Sequence, residues 1–238
     1  MTVIKCESYE EMSSVAADLV VGQIESKPDS VLGLATGSTP LGLYAELIKR
    51  YEDKHVDFSQ IVTFNLDEYY PIAKDHPQSY HYYMDTNFFS KVNIASKYLP
   101  DGQSDDPDAQ SALYDAQIEA AGGIDLQILG IGTNGHIGFN EPSDAYSMST
   151  FMTALAPSTI ESNSRYFAAG ETQPTSAITM GIGGIFNAKK IVLLISGASK
   201  APVAKRLLEN KVYTDLPASL LLLHRDFTVI LDREALGE

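Results

Sequence analysis

The sequence predicts an α/β domain with an open, doubly wound sheet whose strands are mostly parallel. Five short apolar runs recur along the chain, at 31–35, 61–66, 126–132, 191–197 and 227–231. They do not alternate cleanly with polar residues, and such runs are typical of strands that are covered on both faces. Helical patterns lie between the runs, and strands that alternate with helices favour βαβ units.

Each predicted helix has a recognisable beginning or end. The signals are a capping box of Ser8 and Glu11, Pro40 at a first helical position, Asp106-Pro107 before a helix that Gly122-Gly123 ends, and Ser199 at the start of a last helix. The tyrosine-rich stretch 79–89 predicts a further helix that covers the core or the site. Because no internal repeat or linker divides the chain, we expect residues 1–238 to form a single domain.

The composition limits the kinds of partner. A net charge of −14 over 238 residues argues against nucleic acid or an anionic membrane as the main partner. The lone cysteine, Cys6, permits no internal disulfide, and the N-terminal stretch has no apolar signal core. We therefore expect a cytoplasmic protein without a membrane segment, in which local positive groups bind any anionic ligand.

The stretch TGSTP, at 36–40, follows the first of the five predicted strands. A Gly-Ser-Thr turn ahead of a helix leaves backbone amides free, and these amides together with the helix dipole suit a phosphate. An ordinary tight turn with a Ser/Thr cap fits the same residues. The stretch lacks the pattern of a P-loop and of a dinucleotide fingerprint, so no nucleotide cofactor is expected.

The stretch GIGTNGHIGFNEP, at 130–142, has the densest set of polar groups in the chain. His136 stands between Asn134 and Glu141, and such neighbours can hold a histidine in one tautomer for acid–base chemistry. The alternative is a glycine-rich loop whose polar residues cap the following chain. No Cys/His cluster suggests a metal. The other histidines have no paired acid motif and are expected to be surface or packing residues: His55, His76, His81 and His224.

The stretch TFNLDEYYP, at 63–71, begins as a strand and continues into Asp67 and Glu68. Adjacent carboxylates in that place belong either to a solvated strand end or to a site in which one of them moves a proton. The residue types alone leave both interpretations open.

Together these motifs resemble the glucosamine-6-phosphate deaminase family, aldose–ketose isomerases that also release ammonia. LATGSTPLGLY resembles the family's phosphate loop, FNLDEYY its general-base strand and GIGTNGHIGFNEP its ring-opening loop. NSRYF (163–167) and SGASKA (196–201) resemble two segments that supply basic residues to the phosphate. The resemblance implies a Rossmann-like three-layer α/β/α sandwich. It also implies conversion of glucosamine 6-phosphate to fructose 6-phosphate and ammonia, in amino-sugar catabolism and without a cofactor.

The resemblance implies a role for each site residue. Asp67 matches the base that moves a proton from carbon 2 to carbon 1 of the opened sugar, whereas Glu68 has no matching role and is expected to be structural. His136 matches the residue that opens the sugar ring, with Glu141 in support. Asn134 stands where many relatives have aspartate, and we expect it to orient His136 without contributing charge. The implied phosphate ligands are the amides of Gly37, Ser38 and Thr39 and the side chains of Arg165 and Lys200.

Two other functions remain to be weighed. A 6-phosphogluconolactonase shares the architecture but needs no base at carbon 2, and a non-catalytic sugar-phosphate sensor domain reuses the fold. Long hexameric relatives bind an activating sugar phosphate through basic residues after the Asn-Glu-Pro motif. The corresponding stretch 143–155 has no Arg or Lys, so we expect no such activation and a monomer or small homo-oligomer.

Overall fold

A computed structural model describes residues 1–164, 167 and 173–238. In chain order the strands are β1 (Thr2–Lys5), β2 (Val31–Leu34), β3 (Val62–Asn65), β4 (Asp67–Tyr70), β5 (Ser96–Tyr98), β6 (Leu126–Leu129), β7 (Phe151–Ala154), β8 (Ser176–Thr179), β9 (Lys190–Ile195) and β10 (Phe227–Leu231). The helices are α1 (Tyr9–Ser26), α2 (Leu41–Glu52), α3 (Tyr80–Met84), α4 (Pro107–Ala120), α5 (Pro157–Ser164), α6 (Ile182–Phe186), α7 (Ala201–Leu208) and α8 (Arg233–Leu236). A π-helical turn, Asp85–Phe89, continues α3, and 3-10 segments span Ala198–Lys200 and Pro217–Leu223.

Seven strands form a parallel sheet in the order β1-β10-β9-β6-β2-β3-β5. The five predicted strands are its centre, β10 to β3, and are confirmed. The sequence did not predict the two edge strands, β1 and β5. Their residues are exposed or only partly buried, so no apolar run marks them.

Helices cover both faces of this sheet, which confirms the three-layer α/β/α fold. On one face, side chains of α1, α2 and α3 pack against Leu32, Leu34 and Leu194. On the other face, side chains of α4, α6, α7 and α8 pack against Phe64 and Leu193. Successive residues of a strand point to opposite faces, so a strand buried on both sides has no polar face.

The segment 63–70 contains two strands rather than one. The backbone N–H of Leu66 donates to Leu34 in the parallel sheet, while the carbonyl of Leu66 accepts from Met180. The chain therefore leaves one sheet for another at Leu66. The second sheet is antiparallel, with the order β4-β8-β7, and the sequence did not predict it.

The helix signals place most boundaries to within a residue. The side chains of Ser8 and Asp106 cap α1 and α4, and Gly122 takes a φ of +86° just after α4 ends. Pro40 precedes α2 as its cap instead of being its first residue. The prediction of a helix start at Ser199 is wrong by two residues, because Ala198–Lys200 forms a 3-10 turn first.

The apolar segments of the described residues are short. No helix among them has the length and hydrophobicity needed to cross a lipid bilayer.

Candidate active site

Four neighbouring strands of the parallel sheet lead into the segments that the sequence singled out. In sheet order, β3 leads to Asp67, β2 to 36–40, β6 to 130–142 and β9 to 196–201. The carboxyl ends of parallel strands meet at one edge, where ligands bind in sheets of this kind. The fold therefore brings these four segments to a common edge.

Asp67 is the first residue of β4 and is 6% exposed. No donor among the described residues hydrogen-bonds to its carboxylate. Burial raises the pKa of Asp67 to about 8, and the neighbouring charge of Glu68 adds to the rise. A buried carboxylate without donors is a stronger base than a solvated one, which is the property that proton abstraction needs.

The loop after β6 approaches Asp67 through Gly138. A Cβ added to Gly138 would lie 3.4 Å from Oδ2 of Asp67 and 3.0 Å from Oγ1 of Thr179. Gly138 also has a φ of +56°, in the region that disfavours side chains. Its missing side chain thus lets the loop lie against Asp67.

Glu68 faces different surroundings from Asp67 and is 1% exposed. Its carboxylate accepts the backbone N–H groups of Tyr69, Tyr80 and His81 at 2.8–3.0 Å. It also lies 2.9 Å from Nδ1 of His81. Glu68 therefore anchors the start of α3 to β4. The expectation that His81 has no acidic partner is wrong, because His81 pairs with Glu68. The sequence did not reveal the pair because the two residues lie in separate motifs.

The predicted acid–base set is brought together around Glu141. Oε2 of Glu141 accepts from Nδ2 of Asn134 at 2.6 Å and lies 3.2 Å from Nδ1 of His136. Oε1 accepts from the hydroxyl of Thr159 at 2.7 Å. Asn134 was expected to accept a hydrogen bond and orient His136. Its side-chain oxygen accepts the His136 backbone N–H at 3.2 Å, and its amide also positions Glu141.

The charge of Glu141 fixes the tautomer of His136. Burial alone would raise the pKa of Glu141, but the hydrogen bond and electrostatic attraction of His136, with hydrogen bonds from Thr159 and Asn134, lower it to about 2. An ionised carboxylate can only accept, so Nδ1 of His136 carries the proton. Nε2 is then the nitrogen left for a ligand.

The turn after β2 has the geometry of an anion site. The backbone N–H groups of residues 36–39 donate to no acceptor in the described part of the chain. Gly37 takes a φ of +98°, and a turn with such a residue gathers successive N–H groups into a concave surface. Gly37 and Ser38 are exposed, so these amides are open to a ligand.

Of the two predicted cations, only Lys200 can be described. It is half-buried at the end of the 3-10 turn, and burial lowers the pKa of its ammonium. Among the residues that the structure describes, no carboxylate forms an ion pair with it. Arg165 lies outside the described residues.

Sequence reasoning missed Thr159, which hydrogen-bonds to Glu141 from α5. No motif marked it, because it lies 18 positions from Glu141 in a helix that the apolar pattern did not reveal. No group of three or more His, Cys, Asp or Glu residues in the described ranges could hold a metal ion.

A family model described as glucosamine-6-phosphate isomerases/6-phosphogluconolactonase matches residues 7–230. The chain therefore belongs to this family of sugar-phosphate enzymes. Within it, the chain is 52% identical over 237 residues to a glucosamine-6-phosphate deaminase of Thermoanaerobacter sp. (strain X514), covering 99% of this chain and 94% of that protein. A glucosamine-6-phosphate deaminase of Clostridium botulinum (strain Langeland / NCTC 10281 / Type F) is 49% identical, with coverage of 99% and 97%.

Two solved structures are also similar to this chain. A structure described as a monomeric glucosamine-6-phosphate deaminase superposes with a TM-score of 0.94 at 44% identity, covering 100% of this chain and 99% of that one. The 6-phosphogluconolactonase of Trypanosoma brucei superposes with a TM-score of 0.76 at 18% identity, with coverage of 99% and 97%. That second likeness shows a shared fold and no more.

Proposed function

We propose that this protein is an enzyme that converts glucosamine 6-phosphate and water to fructose 6-phosphate and ammonia. One observation carries the proposal: Asp67, a buried carboxylate whose pKa is raised to about 8, lies against the loop that holds His136 and Glu141. A lactonase needs no base at carbon 2. The relatives at about half identity are glucosamine-6-phosphate deaminases, which supports the same reaction.

Ring opening comes first and uses His136. With Nδ1–H donating to Glu141, Nε2 can take the proton of the anomeric hydroxyl and return it to the ring oxygen. The carbon–oxygen bond of the ring breaks and an aldehyde forms at carbon 1. The charge of Glu141 stabilises the imidazolium that exists between the two transfers.

Isomerisation follows at Asp67. The aldehyde acidifies the proton on carbon 2. The Asp67 carboxylate takes that proton and the aldehyde oxygen takes up a proton from solvent, which gives an enolamine. The same carboxyl group returns its proton to carbon 1 and the nitrogen gives up a proton to solvent, which leaves an imine at carbon 2. Water adds to the imine and ammonia leaves, so the products are the ketose phosphate and ammonia.

The phosphate is bound at the turn after β2. Among the described residues, the amides of Gly37, Ser38 and Thr39 have no other acceptor and Lys200 has no carboxylate in an ion pair, so its positive charge is available to the phosphate. Arg165 is proposed as a second cation from its motif alone. In a chain with a net charge of −14, such local donors are needed to bind an anion.

We also propose where the enzyme acts, in which metabolism, and how its chain is organised. We place it in the cytoplasm, in the use of amino sugars such as N-acetylglucosamine, as a single domain over residues 1–238. A monomer or small oligomer fits its likeness to a monomeric deaminase.

The test is an ammonia-release assay on glucosamine 6-phosphate, run beside hydrolysis of 6-phosphogluconolactone, with EDTA in both. Ammonia release with equimolar fructose 6-phosphate and no lactone hydrolysis is the expected result. Lactone hydrolysis alone would make the protein a lactonase. Binding of glucosamine 6-phosphate without turnover would make it a sensor.

A further inference from the structure

The carbonyl side of the turn 35–39 is bound by three tyrosine hydroxyls from three different helices. The contacts are Tyr44 of α2 to the carbonyl of Ala35, Tyr83 of α3 to that of Gly37 at 2.6 Å, and Tyr9 of α1 to those of Ser38 and Thr39 at 3.1 and 3.0 Å. The hydroxyl of Tyr9 also accepts the N–H of Gly42 at 2.7 Å, at the start of α2. The turn is therefore held from behind at the carbonyls of Ala35, Gly37, Ser38 and Thr39.

Three of these carbonyl contacts fix the direction of an amide N–H, whereas the carbonyl of Thr39 is followed by Pro40, which has no N–H. In a trans peptide the C=O and the following N–H point in opposite directions. A hydroxyl that binds the Gly37 carbonyl therefore directs the N–H of Ser38 to the opposite side. By the same reasoning, Tyr9 directs the N–H of Thr39 and Tyr44 directs that of Thr36.

The turn needs such support because its own residues do little to rigidify it. Gly37 has no side chain, takes a φ of +98° and has open space where a Cβ would be. Glycine has the largest conformational freedom of any residue, so fixing it before a ligand arrives avoids an entropic cost at binding.

We propose that Tyr9, Tyr44 and Tyr83 are positioning residues that hold the amides of Thr36, Ser38 and Thr39 in the orientation that binds the substrate phosphate. This inference rests on the proposed role of the turn as the phosphate loop. The hydroxyls act through the backbone and do not touch the ligand. A phosphate is bound in the ground state and the transition state alike, so the tyrosines affect binding more than turnover.

The chain offers a matched control for Tyr83. Its neighbour Tyr82 is on the same helix and is 44% exposed. Its hydroxyl makes no hydrogen bond with the described residues. Tyr83→Phe and Tyr82→Phe each remove one hydroxyl from α3, and only the first removes a contact to the turn. Tyr9→Phe tests the second contact from a different helix.

The experiment measures KM and kcat for glucosamine 6-phosphate and, separately, the dissociation constant of inorganic phosphate. One hydrogen bond contributes about 0.5–1.5 kcal/mol, so Tyr83→Phe should raise KM and the phosphate constant by about two- to tenfold. Tyr9→Phe removes contacts to two carbonyls and to the N–H of Gly42, so it should raise both constants at least as much. Their kcat should stay within about twofold of the wild-type value, as should every constant of Tyr82→Phe.

The double variant Tyr9→Phe/Tyr83→Phe gives a larger effect, and its melting temperature shows whether it is folded. Unchanged phosphate affinity in a folded double variant would overturn the inference, as would a fall in kcat at constant KM. If the wild type bound phosphate but released no ammonia, the proposed reaction would be wrong. The tyrosine contacts would still be tested by the phosphate constant.

Discussion

Nδ1 of His136 lies 3.2 Å from Oε2 of Glu141, and the carboxylate determines which nitrogen of the ring can face a sugar. Hydrogen bonds from Asn134 and Thr159 hold that carboxylate in place. Asn134 is therefore linked to His136 both through the backbone N–H of that residue and through Glu141, and the second link determines what a new charge at this position should do.

The loss of stability that Asn134→Asp causes should depend on pH. The new carboxylate would face Glu141 at the present 2.6 Å contact, and their repulsion would raise the pKa of the pair. A pair whose folded pKa is raised stabilises the fold at low pH and loses that contribution as pH rises through the pKa. The melting temperature should thus fall further below wild type at about pH 8 than at about pH 5. Ring opening should survive, with a shifted pH profile.

Asn134→Ala is the control, since it removes the donor without adding charge. Its loss of stability should be the same at both pH values. An Asn134→Asp variant with an equal deficit at both values would show that the two carboxylates do not interact.

The pH profile of kcat/KM should have a limb that belongs to Asp67. The base is competent only when ionised, and burial together with Glu68 sets the pKa of Asp67 at about 8. Below that pH, kcat/KM should fall about tenfold per unit. Glu68→Gln removes the neighbouring charge, so the limb should move to lower pH. The substrate's own ionisations are the same with both enzymes, so they cannot move the limb. A limb that stayed at the same pH in Glu68→Gln would belong to a group other than Asp67.

Lys200→Ala should mainly weaken substrate binding. A hydrogen bond to a charged group contributes about 1.5–3 kcal/mol, so KM should rise by about 10- to 100-fold with a smaller change in kcat. Lys205→Ala, an exposed lysine on the adjoining helix α7, is the control and should leave both constants unchanged. Arg165→Ala is predicted from its motif to raise KM in the same way as Lys200→Ala. Loss of kcat at an unchanged KM would exclude the phosphate role.

N-acetylglucosamine 6-phosphate should not activate this enzyme. The stretch 143–155 has no Arg or Lys and contains Asp144, so a phosphate placed there would find no charge-assisted donor. An effector shifts an equilibrium only through a difference in affinity between two states. Saturation curves should be hyperbolic with and without the effector. A sigmoidal curve that the effector made hyperbolic would contradict this prediction.

The parts of the fold that the sequence revealed are those buried on both faces. The central strands have continuous apolar runs, whereas β1 and β5 are short edge strands with exposed residues. The second sheet was missed because its pairing joins β4 to β8, more than a hundred positions away, and β7 alternates between partly buried and exposed residues. Long-range antiparallel pairing leaves no local signal of this kind.

The sequence likewise revealed only part of the candidate site. Asp67, His136 and Glu141 belong to dense motifs at strand ends, and a resemblance assigned their roles. Thr159 and the tyrosines that contact the turn 35–39 make their hydrogen bonds to distant segments. A tyrosine on a helix has no sequence signal that separates such a contact from core packing. The role of Asn134 depends on which way its amide points, and only the three-dimensional contact with Glu141 determines that.

The most direct test of the account is the turnover of Asp67→Asn. The amide keeps the shape of the side chain but cannot take a proton from carbon 2, and a positioned base contributes about 10²- to 10⁴-fold in rate. We predict that kcat for ammonia release falls by that factor while the variant stays folded and binds fructose 6-phosphate with nearly wild-type affinity. Near-normal turnover of the folded variant would contradict the account, because Asp67 would then not be the base.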